Sequence, residues 1–132
     1  GGSAVNVLLW VLQVFLAVAF LAHGLLLLMP PPEIAAQMLV SFPREFWLFL
    51  GLAEVAAAIG LTLAGLTRVM PFLVSWAAAA IMVVMVSATI YHLARGENSS
   101  AVITFILLGM ATYVAYMRSR VIPILPKRAV AG

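Results

Sequence analysis

The chain has 132 residues, of which 66% are hydrophobic and 8% charged, and its mean hydropathy is +1.21. A soluble core of this size could not bury so much apolar surface, so lipid must solvate most of it. A net charge of only +3 argues against nucleic acid as a partner, and the lack of cysteine removes disulfides, thiolate metal sites and thiol redox chemistry.

Taken in chain order, Gly1, Gly2 and Ser3 read as a linker remnant (residues 1–3), followed by one transmembrane domain over residues 4–120 and a basic tail over residues 121–132. Four apolar runs are long enough to span, at residues 5–29, 46–66, 71–93 and 101–117. The first is too long for the apolar part of a signal peptide and has no basic residue before it, so it is expected to remain as a spanning helix. Pro30, Pro31 and Pro32 stop it. The segment from Glu33 to Phe42 is too short to span and reads either as a helical turn or two in the headgroup region or as a plain linker. Thr67 to Met70 forms a turn, with Pro71 at the first position of the third helix. Arg95-Gly96-Glu97-Asn98-Ser99-Ser100 is a polar loop before the fourth run. Ala56, Gly60 and Ala64, with Ala77 to Ala80, are small residues at spacings that let helices approach closely. The expected fold is all-α, an integral membrane four-helix bundle with a short interfacial segment between its first two helices.

Lys and Arg set the orientation. Arg68, Arg118, Arg120, Lys127 and Arg128 fall on the side of the termini, and Arg44 and Arg95 on the other, which predicts cytoplasmic termini. The four basic residues after the last run read as a membrane anchor. Trp10, Trp76, Tyr113 and Tyr116 fall near the inner ends of the helices, and Trp47 and Tyr91 near the outer ends, where interfacial aromatics belong.

An ionisable side chain in hydrocarbon is costly, so such residues are where function is sought. Glu54 lies about 12 Å along the second span from its outer end, and His23 about 9 Å from the outer end of the first. Because these spans run antiparallel, the two residues reach similar depth. His92 ends the third span in the same layer, with Thr89, Met85 and Met82 following inward at helical spacing. Thr104 lies in the outer third of the fourth span. Three readings fit this cluster. Glu54 and His23 can pair simply to fix helix packing. The cluster can instead be a proton-linked site for an apolar carbonyl compound such as a quinone. Two His and one Glu can also hold a metal, but there is no HxxxH or CxxC spacing, and no metal is assigned. His92 and Glu97 bracket the outer loop, where solvated residues of these types are also ordinary. Gln13, in the inner half, reads as an interhelical hydrogen-bonder.

The ordered set His23-Gly24, Phe42-Pro43, Gly51-Leu52-Ala53-Glu54-Val55, Ala58-Ile59-Gly60-Leu61, Leu66-Thr67-Arg68, Pro71, Met85, Ala88 and His92-Leu93-Ala94-Arg95-Gly96-Glu97 resembles the DoxX-like family of small four-helix membrane proteins. The resemblance runs from about residue 7 to residue 118. It implies a multi-pass protein of the bacterial inner membrane. Some members of the DoxX and DoxD group are subunits of thiosulfate:quinone oxidoreductase, and others associate with redox-stress proteins. The family's recurring polar positions match Glu54, His92 and Glu97, whereas near position 23 many relatives carry Lys and this chain has His.

The expectation is an accessory subunit of a membrane redox system, not catalytic alone. It would bind quinone or another small hydrophobic ligand through Glu54, His23, His92, Thr89, Thr104 and Met85, with Glu97 and Arg95 as polar loop residues. No cofactor is expected within the chain, and no catalytic residue is assigned. The expected partners are the bilayer, a redox protein and further copies of the chain. The alternatives are an oligomeric carrier or channel for protons or a small solute, and a purely structural membrane module.

Overall fold

Long apolar runs bounded by prolines and polar turns leave each backbone only one way to satisfy itself in hydrocarbon, which is to bond along its own helix. The computed structural model describes residues 2–127, all helices and connecting turns. In order, these are α1 (Gly2–Leu28), α2 (Pro32–Ser41), α3 (Arg44–Thr67), α4 (Leu73–Ala94) and α5 (Asn98–Tyr116), which runs into a π-helical turn at Met117–Val121. Four spans have the length and hydropathy to cross a membrane: Ser3–Leu28, Arg44–Thr67, Leu73–Ala94 and Asn98–Val121.

The spans pack antiparallel in the order α1, α3, α4, α5, and α5 with its π turn returns to α1. One end of the bundle carries the termini and the α3–α4 turn. The other carries α2 and the α4–α5 loop; these are called here the terminal end and the loop end. The core is aliphatic, with Leu9, Leu16, Leu61, Ile81, Val74 and Val114 almost fully enclosed. The outward faces of the spans present Val, Leu, Ile and Phe, as lipid contact requires.

Two close approaches position the chemistry. At Gly24 an added Cβ would lie 2.9 Å from the Gly51 carbonyl oxygen, so glycine at both positions brings the backbones of α1 and α3 together. Gly60 approaches Ala77 in the same way, with an added Cβ 3.0 Å from its methyl group, and seats α4 on α3.

Some boundaries differ from the sequence expectation. α4 begins at Leu73, not Pro71, because Arg68 (φ 57°) and Met70 (φ 51°) are left-handed and delay the helix. Segment 32–41 is a true helix with Pro at its first position and no buried residue. It is anchored by its C-terminal flank. The Trp47 indole N–H donates to the carbonyls of Met38 (2.9 Å) and Phe42 (3.2 Å), and Ser41 Oγ bonds Tyr91 OH at 2.9 Å. The fourth span continues past residue 117 through the π turn. That turn carries Arg118 into the bundle, where it is 4% exposed. Its assignment to a solvated anchor is therefore corrected; of that basic group, Arg128 lies outside the described residues.

Candidate functional site

The loop end holds two histidine–carboxylate pairs, each built by a different local device. At the first, the Gly24–Gly51 crossing sets α1 on α3 so that His23 Nδ1 meets Glu54 Oε1 at 2.6 Å. Glu54 is 2% exposed, and its Oε2 has no hydrogen-bond partner among the described residues. The imidazole lies outside it, with about half of its side-chain surface accessible.

The second pair comes from the way α4 ends. Gly96 adopts φ 72°, the Glu97 N–H donates to the His92 carbonyl (2.8 Å), and the Gly96 N–H donates to the Leu93 carbonyl (3.1 Å). This is the left-handed helix ending in which the chain folds back on its last turn, and it requires the conformational freedom of glycine. The reversal returns the Glu97 side chain to the imidazole, with His92 Nδ1 and Glu97 Oε1 2.9 Å apart. The Arg95 Nε lies 3.4 Å from the same oxygen, and its guanidinium sits over the Tyr91 ring at 5.2 Å. The His92 hydrogen bond is the main influence holding the Glu97 carboxyl below its ordinary value; desolvation opposes it, and the Arg95 charge adds to it.

Both imidazoles line one cleft of about 370 Å³ between α1, α4 and α5, within the roughly 300–1,000 Å³ usual for small-molecule sites. Its walls are mainly apolar, from Phe20, Met85, Ala88, Ile103 and Leu107, with Ser100 and Thr104 as the other polar side chains. Each histidine uses Nδ1 on its carboxylate. Neither Nε2 has a hydrogen-bond partner among the described residues.

Of the expected ligand residues, His23, His92, Met85 and Thr104 therefore meet at the cleft. Glu54 stands behind His23 and is not part of the lining. Thr89 is also behind the wall. Its hydroxyl bonds the Met85 carbonyl (2.7 Å) and Thr104 Oγ1 (2.8 Å), while Thr104 also bonds the Ala101 carbonyl (3.0 Å). These contacts clasp α4 to α5. Glu97 and Arg95 form the rim. Glu54 bonds His23, and Glu97 bonds His92. No three His, Asp or Glu side chains among the described residues are arranged to hold a metal ion.

Gln13 is the interhelical hydrogen-bonder expected from the sequence, but sequence reasoning missed the polar centre it belongs to, at the terminal end. Arg118 Nε donates to Gln13 Oε1 (2.8 Å), and its Nη1 donates to Asn6 Oδ1 (2.8 Å) and to the Ile122 carbonyl (3.0 Å). Gln13 Nε2 in turn donates to the Leu61 carbonyl at 2.8 Å, and the Trp10 ring faces the guanidinium at 5.6 Å. The signal was present in the spacing of Asn6 and Gln13, seven residues apart and hence on one face of an otherwise apolar helix.

The sequence pattern of the DoxX-like family matches residues 11–114, which takes in α1 from the level of Gln13, both close glycine approaches and both histidine–carboxylate pairs. No curated protein and no solved structure matches the chain significantly. With the family pattern covering most of its length and four spans of membrane-crossing character, this multi-pass membrane protein belongs to the DoxX-like family.

Proposed function

We propose that the cleft binds a small apolar molecule bearing oxygen, of the quinone and hydroquinone class, and that the protein is an accessory subunit serving a membrane redox partner. One observation carries this reading: two imidazoles line a single apolar cleft, each tethered through Nδ1 to a carboxylate. A carboxylate at Nδ1 fixes the ring and gives Nε2 two defined roles. In the neutral ring with Nδ1–H facing the carboxylate, Nε2 accepts a hydrogen bond from a ligand hydroxyl. In the imidazolium, which the carboxylate stabilises, Nε2–H donates to a ligand carbonyl. Such a pair suits a ligand that interconverts carbonyl and hydroxyl oxygens. Phe20, Ile103 and Leu107 supply the apolar slot for its ring, and the membrane accommodates any tail. With cytoplasmic termini, as the distribution of Lys and Arg predicts, the cleft would lie toward the outer leaflet of a bacterial inner membrane.

Equilibrium binding of a short-tailed ubiquinone analogue to the purified protein in lipid nanodiscs tests the reading. His23→Ala with His92→Ala removes both hydrogen bonds, each worth about 1 kcal/mol, so affinity should fall by at least about tenfold. Equal affinity in wild type and the double variant, or no binding to wild type, would refute it and leave the polar pairs with a packing role.

A further inference from the structure

The two histidine–carboxylate pairs differ in their access to water. Glu54 is 2% exposed and lies beneath His23, behind a backbone crossing with no room for a Cβ. A proton passed to it would have to return through His23. Glu97 lies in the loop between two spans, with 42% of its side-chain surface accessible, while its partner ring lines the cleft. His92 thus touches the cleft on one side and, through Glu97, the aqueous phase on the other.

We propose that His92 and Glu97 are the proton port of the cleft, through which a bound phenol or hydroquinone exchanges its hydroxyl proton with water. This rests on reading the cleft as a ligand site. The step is a proton transfer with no change of oxidation state. The ligand O–H bond breaks as an Nε2–H bond forms on His92; the Nδ1–H proton passes to Glu97 Oε1; and Glu97 delivers it to water. A ligand oxyanion remains, hydrogen-bonded by Nε2–H, and reversal restores the starting state. The low proton affinity of Glu97 makes it a brief stop. The other groups around His92 among the described residues are these. Tyr91 lies beside the ring (centroids 5.6 Å), Arg95 reaches Glu97 as a fixed cation, His23 faces the cleft from α1, and α5 contributes the hydroxyls of Ser100 and Thr104. The His23–Glu54 pair, by contrast, meets the same ligand from α1 with its carboxylate buried away from water.

The probe is an alkylated 4-nitrophenol, whose phenolate absorbs in the visible, with its methyl ether as a non-ionisable control. After an upward pH jump in nanodiscs, phenolate should appear quickly in wild type and in Glu97→Asp. In Glu97→Gln it should slow by at least about tenfold, toward the probe's separately measured dissociation rate. Glu97→Gln keeps an oxygen that can accept from His92 Nδ1–H, so the ether should still bind it, and rates are compared at saturating probe; Glu54→Gln should weaken probe binding without slowing deprotonation. An equal rate in wild type and Glu97→Gln, equal slowing by Glu54→Gln, or loss of ether binding in Glu97→Gln would overturn the port while leaving the cleft reading intact. No binding of probe or ether to wild type would overturn both.

Discussion

The two ends of the bundle spend their polar groups differently. At the terminal end the polar atoms of Asn6, Gln13 and Arg118 are turned on one another and on the carbonyls of Leu61 and Ile122, and Arg118 is 4% exposed. At the loop end each imidazole gives one nitrogen to a carboxylate and keeps the other at the edge of a cleft. A network closed on itself works as a staple between helices. One with a free valence directed at a cavity has the form of a site. Among the described residues each end also holds one buried atom without a hydrogen-bond partner, Arg118 Nη2 and Glu54 Oε2, so burial alone does not separate the two cases. The difference lies in what can reach the remaining groups.

The largest expected effect falls on the staple. Gln13→Leu removes an acceptor from an enclosed guanidinium and also frees the Leu61 carbonyl, which should cost about 2–3 kcal/mol. In an Arg118→Met background the same change should cost at least about 1 kcal/mol less, because no charge is left to strand. Denaturant or thermal unfolding of the four proteins in matched micelles measures the coupling. Additive losses would show that the terminal end is not one network. Ligand affinity at the loop end should stay within about twofold in every folded variant, which sharpens the division between the ends.

A smaller loss is expected at the helix crossing. Gly24→Ala places a Cβ 2.9 Å from a backbone oxygen, so α1 and α3 must separate, at about 1–2 kcal/mol. Separation also pulls His23 from Glu54, so this variant should lose stability and ligand affinity together. Retained affinity would disconnect the crossing from the site. Gly96→Ala is milder. Nothing lies within 4 Å of the added Cβ, and only the left-handed φ of 72° is penalised, by about 1 kcal/mol. Its signature should be selective: stability falls slightly, proton exchange at His92 slows far less than in Glu97→Gln, and the His23 side of the cleft is untouched.

What could be read in advance followed from how local each determinant is. Spans and their stops depend on contiguous apolar residues and prolines, so Leu25–Pro32 and Leu66–Pro71 declare themselves. His23 and Glu54 could be brought to one layer because depth along an antiparallel pair is set by the rise per residue. The partner of His92 depended on three-dimensional detail: the ring is taken by the residue just after Gly96, through a helix ending that brings them within 2.9 Å. His92-Leu93-Ala94-Arg95-Gly96-Glu97 contains that ending, with glycine at the left-handed position, and could have been read so. Arg118 was harder. A basic residue after an apolar run ordinarily faces headgroups, and only the π turn together with the acceptors on α1, about a hundred positions away, draws it inward.

The smallest effect concerns Glu97 alone. Its carboxyl is held below the ordinary 4.5 chiefly by the His92 hydrogen bond, so folding is favoured by the ionised form. That contribution is complete above the ordinary value and is lost as pH falls through the lower value of the folded protein. Because the group is solvent-exposed, the effect is small and screened by salt. Comparing wild type with Glu97→Gln cancels Glu33 and Glu45, which both proteins keep. The difference in Tm should be steady near neutral pH, shrink as pH falls through and below the ordinary carboxylate value, and shrink less at high salt. Glu54, enclosed with its own histidine, is common to both proteins and cannot produce that difference. A Tm difference that ignores pH would mean that Glu97 does not hold His92 in solution, and the loop end would then have one tethered imidazole instead of two.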